Sequence, residues 1–171
     1  SQNPDMAIEH AFDYLKTHPV IRPSKTFASI YNTLGSILLE RGLTNQALEY
    51  ILISKSFMDE DDLTPWVELN LGNVYFKIGD WINAKKQYEI ALKIFSEDEV
   101  GPIQFRGLAT ALNNLGMIEY ENKRYRAALS YYDEAMRNRI RSGSRRGLIF
   151  QYIQYGQLYN DMDKSELALQ M

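Results

Sequence analysis

Apolar residues recur along most of this chain at helical spacing rather than in alternation. In "ALNNLGMIEY" the apolar Leu112, Leu115 and Ile118 fall every three residues, and "VELNLGNVYF" repeats the pattern with Val67, Leu71, Val74 and Tyr75. That spacing gathers side chains on one face of a helix. Each stretch runs into a breaker: "ERGLT" around Gly42, "KIGDW" around Gly79, "ENKRY" around Lys123 and "DMDKS" around Asp163. A second amphipathic stretch follows each time. The pattern predicts first helices at about 25–41, 65–78, 102–122 and 145–161, and second helices at about 44–58, 81–96, 125–141 and from 164 onward. Helix starts agree: Ser24 and Thr64 sit where N-caps belong, and Pro65 and Pro102 take the first-turn position that proline favours. No stretch reads as a strand.

The helix pairs are copies of one unit. Gly35, Gly72, Gly116 and Gly156 are separated by 37, 44 and 40 residues, and an alanine lies twelve residues after each: Ala47, Ala84, Ala128 and Ala168. With only 12 alanines in 171 positions, four at one offset are not an accident of composition. Sixteen residues after the glycines come Ile51, Tyr88 and Tyr132; nineteen after come Ser54, Ala91 and Ala135. Self-similarity at this period marks a solenoid of at least three and a half units. The recurring small residues fit helix axes about 8–10 Å apart, which leave no room for a large side chain at the crossing.

In these landmarks the sequence resembles the tetratricopeptide repeat family. The fullest match is Leu71, Gly72, Tyr75, Ala84, Tyr88 and Ala91; next is Leu115, Gly116, Ala128, Tyr132 and Ala135, where Glu119 stands in place of the expected Tyr. Leu34, Gly35, Leu38, Ala47, Ile51 and Ser54 match more loosely, and Tyr155, Gly156, Tyr159 and Ala168 stop inside a second helix. The repeats exceed the family's usual length of about 34, and its closing proline is missing, as in a longer-helix variant. The resemblance implies an all-α, right-handed α-solenoid of antiparallel helix pairs. Residues 1–23 are expected to form an N-terminal capping helix or partial repeat, with Ala7, Ala11, Tyr14 and Leu15 on one side. Residues 24–60, 61–100, 101–143 and 144–171 are expected as successive units. The unfinished last helix, with Leu167 and Leu169 short of a packing partner, suggests a fragment of a longer protein or end-to-end pairing of chains.

Composition narrows the chemistry. The chain is 45% hydrophobic with a net charge of −3, too mild to call for nucleic acid or a membrane surface. It has no cysteine, which excludes disulfides and thiolate metal sites and leans towards a reducing, cytoplasmic setting. No run is long and apolar enough for a membrane helix. The two histidines, His10 and His18, are spaced for neither a helix-borne metal pair nor a third ligand. Phosphate-loop, dinucleotide and zinc-helix motifs are absent, and Ser142-Gly143-Ser144 reads as a turn. No enzyme, cofactor or metal is expected.

What the resemblance implies is binding. First helices of this family line a concave groove for an extended peptide or partner helix. The positions that would face it are Asn32, Ser36, Trp66, Asn73, Phe76, Lys77, Asn113, Met117, Tyr120, Phe150 and Gln157. Asparagines can pair with a peptide backbone and the aromatics and Met117 can clasp apolar side chains, although any of these aromatics could instead fill core between repeats. A two-carboxylate clamp for acidic chaperone tails is not expected. Its positions here hold Asn32, Ser36, Asn70, Thr110 and Asn114, or one repeat later Leu69, Asn73, Asn114, Phe150 and Gln154, with no cation to meet a carboxylate.

Charge is also segregated. Asp59, Glu60, Asp61 and Asp62, then Glu97, Asp98 and Glu99, make two acidic loops, whereas Arg137, Arg139, Arg141, Arg145 and Arg146 crowd "RNRIRSGSRR". The arginines read either as solvated helix ends or as an anion or docking patch. Most of the twelve tyrosines read as core or groove lining. The expectation is a non-catalytic scaffold with a protein or peptide partner. Alternatives are a regulatory input region of a larger signalling protein, or a homo-oligomer formed through the open ends.

Overall fold

A computed structural model describes residues 4–17, 24–58, 64–97 and 100–169. Among these the chain is helical, with short turns and no strand: α1 (Pro4–Thr17), α2 (Lys25–Glu40), α3 (Thr44–Ser56), α4 (Pro65–Lys77), α5 (Trp81–Glu97), α6 (Pro102–Glu121), α7 (Tyr125–Arg141) and α8 (Arg145–Leu169). The all-α helix-pair fold expected from the repeat is the one found. Two compact units, Ser1–Ala84 and Lys85–Met171, divide the chain within α5. The acidic runs at 59–62 and 98–99 and His18 lie outside the described residues, as do the side chains of Ala7, Leu167, Ala168 and Leu169.

Four helix ends share one device. Gly42, Gly79, Lys123 and Gly143 have φ of 78°, 82°, 58° and 67°. Each left-handed residue lets the following N–H return to a carbonyl five residues back: Leu43 to Leu38, Asp80 to Tyr75, Arg124 to Glu119 and Ser144 to Arg139. These Schellman closures end one helix and aim the next antiparallel to it. The turn expected around Asp163 does not form, and α8 runs unbroken from Arg145 to Leu169. Among the described residues none near Asp163 takes a positive φ, so nothing there closes the helix. At the starts, the Ser24 hydroxyl accepts from the Phe27 N–H at 3.4 Å and Ser144 caps α8 through the Gly147 N–H. Thr64 holds the N-cap position of α4, yet its hydroxyl makes no cap bond and lies 3.9 Å from the Met58 sulfur.

In the first unit α2 packs on α3, α3 and α2 on α4, and α1 on α2. The core joins Leu38, Ala47, Ile51, Val67, Leu71 and Val74. Gly35 explains how close α2 and α3 come, because a Cβ there would lie 2.4 Å from Ile51 Cγ1. Ser54, buried on α3, donates to the Ala28 carbonyl of α2 at 2.6 Å. Glu68 is fully buried with its carboxylate 2.8 Å from Lys55 Nζ. The approach is one of charge rather than alignment, since neither Glu68 oxygen has a hydrogen-bond partner among the described residues.

In the second unit α6 packs on α7 and α7 on α8. Gly116 repeats the Gly35 arrangement with a larger occupant: a Cβ there would come within 2.6 Å of the buried Tyr132 ring. A second glycine register emerges, nine residues before the first. A Cβ at Gly107 would meet the Phe95 ring at 2.2 Å, and one at Gly147 would meet Arg139 Nη1 at 2.7 Å. Phe95 and Arg139 hold equivalent positions in successive pairs, each 23 residues past its repeat glycine. Gly156 differs from all of these, with nothing among the described residues within 4 Å of an added Cβ. Alanine substitution therefore separates the two kinds of glycine. Gly116→Ala should lower unfolding free energy by about 1–3 kcal/mol through overpacking, whereas Gly156→Ala should raise it by about 0.5–1 kcal/mol through helix propensity. Denaturant melts of the two variants check this.

Candidate binding surfaces

The expected groove residues fall into four groups, the last being the buried Asn113. Those most open to solvent are Lys77, Phe150 and Gln157, while Ser36, Trp66, Asn73, Phe76 and Met117 are half-buried. Asn32 and Tyr120 are half-buried as well, and their polar groups tie one first helix to another. The Asn32 carbonyl oxygen accepts from Asn70 Nδ2 at 2.9 Å, tying α2 to α4. The Tyr120 hydroxyl donates to Asp161 Oδ2 at 2.5 Å, tying α6 to α8. That carboxylate acceptor, followed by burial, pushes the Tyr120 pKa up to about 12. Adjacent first helices within each unit are thus cross-linked through side chains that the sequence assigned to a ligand.

Asn113 corrects the groove expectation outright. It is only 1% exposed, and its amide nitrogen lies 3.4 Å from Asn114 Oδ1 and from the Met117 sulfur. A buried amide between α6 and its neighbours cannot offer itself to a peptide. Met117 packs on the Ala128, Tyr132 and Leu158 cluster, so part of its side chain serves the core. Ser36 donates to its own helix at the Thr33 carbonyl, 2.9 Å away.

The arginine cluster is corrected too. Arg139 is buried, donates from Nε to Gln151 Oε1 at 3.2 Å, and lies 5.7 Å from the Phe150 ring centroid. Burial lowers its pKa from the ordinary value. Its work is to join α7 to α8 at the position Phe95 fills one pair earlier. Arg137, Arg141, Arg145 and Arg146 are exposed, so the five do not form one surface patch. Arg141 stacks 5.6 Å from the Phe105 ring centroid. It also borders an open cavity of about 510 Å³ whose floor is Leu92, Leu108 and Leu112 and whose rim carries Glu89, Lys93 and Glu134. This cavity had no signal in the sequence, because its walls come from three successive helices whose packing no local pattern encodes.

Glu119, the departure from the family's tyrosine, has a specific use. It is nearly buried, hydrogen-bonds the Arg124 guanidinium, and lies 3.8 Å from Lys85 Nζ. One carboxylate thereby links α5, α6 and the start of α7. The Arg124 hydrogen bond, outweighing burial and aided by both cations, holds the Glu119 pKa below its ordinary 4.5, and the Arg124 pKa rises in return. A carboxylate with a depressed folded pKa contributes stability above its unfolded value and loses it as pH falls through the folded value. The Glu119 contribution should be intact at neutral pH and be lost progressively as pH falls from about 4.5 through the lower folded value. Urea midpoints followed from neutral to acid pH should fall more steeply for the native chain than for Glu119→Gln.

Among the described residues no three His, Asp or Glu side chains cluster as a metal site would require, and no helix is long and apolar enough to cross a membrane. Residues 107–171 match the family model described as tetratricopeptide repeat. No curated protein matches the sequence. Among solved structures, BtubC (BKLC) from P. vanneervenii aligns over 93% of this chain with a TM-score of 0.65 at 22% identity, a likeness of fold. This chain spans 64% of that protein's length. The APC/C hetero-tetramer Cut9-Hcn1 aligns over 96% of this chain and 36% of its own, with a TM-score of 0.46 and 12% identity, too weak a likeness to argue from. The resemblance seen in the repeat landmarks is therefore met by the family model over the C-terminal repeats and by the fold over nearly all of the chain. The tetratricopeptide repeat is generally a non-catalytic scaffold for protein–protein interaction.

Proposed function

We propose that this chain, whose residues 107–171 are tetratricopeptide repeat, is a scaffold module that binds a peptide or a partner helix along its first helices, with units at 24–60, 61–100, 101–143 and 144–171. The observation that carries the reading is the state of α4. Trp66, Asn73, Phe76 and Lys77 share one face of that helix and keep part of their surface in solvent. They combine aromatic surface, an amide and a cation, the mixture suited to a peptide with both apolar side chains and free backbone groups. Within the second unit, Phe150 and Gln157 of α8 carry similar chemistry. Cross-links such as Asn32–Asn70 and Tyr120–Asp161 hold neighbouring first helices in place, so little ordering on the protein's side opposes binding. The lack of cysteine suits a reducing compartment such as the cytoplasm.

A binding comparison tests it. A partner captured by the native chain should bind Asn73→Ala/Phe76→Ala about tenfold or more weakly, roughly 1.4 kcal/mol, with the thermal midpoint of the variant close to that of the native protein. Undiminished binding by this variant, with loss on Arg145→Ala/Arg146→Ala, would move the site from the first-helix face to the α7–α8 corner.

A further inference from the structure

Helix α8 exposes a face that its counterpart in the preceding pair buries. Forty residues separate equivalent positions of α6 and α8. Ala109, Leu112 and Glu119 of α6 are 0%, 2% and 6% exposed, whereas Ile149, Tyr152 and Tyr159 of α8 are 64%, 65% and 50% exposed. The glycines between them follow suit. Tyr132 of α7 covers Gly116, and nothing among the described residues covers Gly156. The first unit shows the same rule, with Ile51 of α3 over Gly35. In this protein, then, such a face is covered by an antiparallel helix that sets a bulky side chain into the glycine notch.

The bare face is self-complementary. Arg145, Ile149, Tyr152, Gly156, Tyr159 and Asp163 fall within an arc of about 80° around the helix, given 100° per residue. Arg145 lies at one end and Asp163 at the other, both exposed. Arg145 also occupies the first turn of α8, where the helix dipole disfavours a cation and a carboxylate from outside would relieve it. An antiparallel copy of α8, related by a two-fold axis level with Gln154, brings three matched pairs together. Arg145 faces the partner's Asp163, Ile149 faces the partner's Tyr159, and Tyr152 faces the partner's Gly156. The last pair repeats the Tyr132–Gly116 contact between molecules. A closed two-fold interface requires one surface to match itself in this way.

We propose that α8 is a dimerisation surface whose occupant is α8 of a second copy of this chain, with Tyr152 of each molecule seated in the Gly156 notch of the other. This goes beyond partner binding on the first helices and uses different side chains, so either reading can fail alone. Sedimentation equilibrium of the 171-residue chain over about a hundredfold range of concentration should show conversion from 19.9 kDa to twice that mass. Tyr152→Glu should weaken the association about tenfold or more while leaving the circular dichroism unchanged, since its side chain is exposed. Arg145→Glu and Asp163→Arg should each weaken it, and the two together should restore it, which a merely hydrophobic association would not show. A single 19.9 kDa species throughout, the outcome if another helix covers this face, overturns the proposal. So does a dimer indifferent to Tyr152→Glu or not rescued by the charge exchange.

Discussion

Close approach at glycine is the constraint from which the rest of the structure follows. Gly35 and Gly116 remove the only atoms that would keep Ile51 and Tyr132 from lying directly on the facing helix. Helices packed at that distance bury backbone as well as side chains, and their dispersion contacts add to the hydrophobic term. Because each notch needs a bulky neighbour on the paired helix, small and large residues must recur in step. The step is what the sequence repeats. The alanines at Ala47, Ala84 and Ala128, all fully buried, carry the same requirement further along the second helices.

Several charged groups enter this packing beside a partner, and they take places where other repeats are apolar. Arg139 stands where Phe95 stands one pair earlier and reaches Gln151 and Phe150 on α8. Glu119 draws in Arg124 and Lys85, and Glu68 draws in Lys55. Ion pairs withdrawn from water add little net stability compared with apolar packing, but removing one partner is costly. Such pairs therefore fix which helices meet more than they deepen the fold. The same holds for Asn32–Asn70 and Tyr120–Asp161 between first helices. Within each unit, helices pinned in this way present a fixed surface, which suits the binding role proposed for them.

The helices and the turns at Gly42, Gly79, Lys123 and Gly143 were legible in the sequence because periodicity and left-handed residues are local properties. The unbroken α8 was not. "DMDKS" carries the polarity of a turn without a residue that closes the helix, so composition and backbone geometry disagree there. Site residues were read less well, because burial is set by neighbours remote in sequence. Arg139 looks like one of five surface arginines until Gly147 brings α8 against it. A signal for this did exist, in the glycines Gly107 and Gly147 forty residues apart and the alignment of Arg139 with Phe95. Asn113 gave no such signal, since an asparagine on a first helix reads as groove whether or not its neighbours close over it. The cavity beside Arg141 depends on three helices together and has no local pattern to betray it.

The most direct test of the central constraint is a double-mutant cycle between Gly116 and Tyr132, read as unfolding free energies. If the ring in the notch is what demands glycine, Gly116→Ala costs about 1–3 kcal/mol in the native chain and close to nothing in a Tyr132→Val background, where only its helix propensity remains. An equal cost in both backgrounds would contradict the account, for the glycine would then be required by something other than the side chain packed upon it.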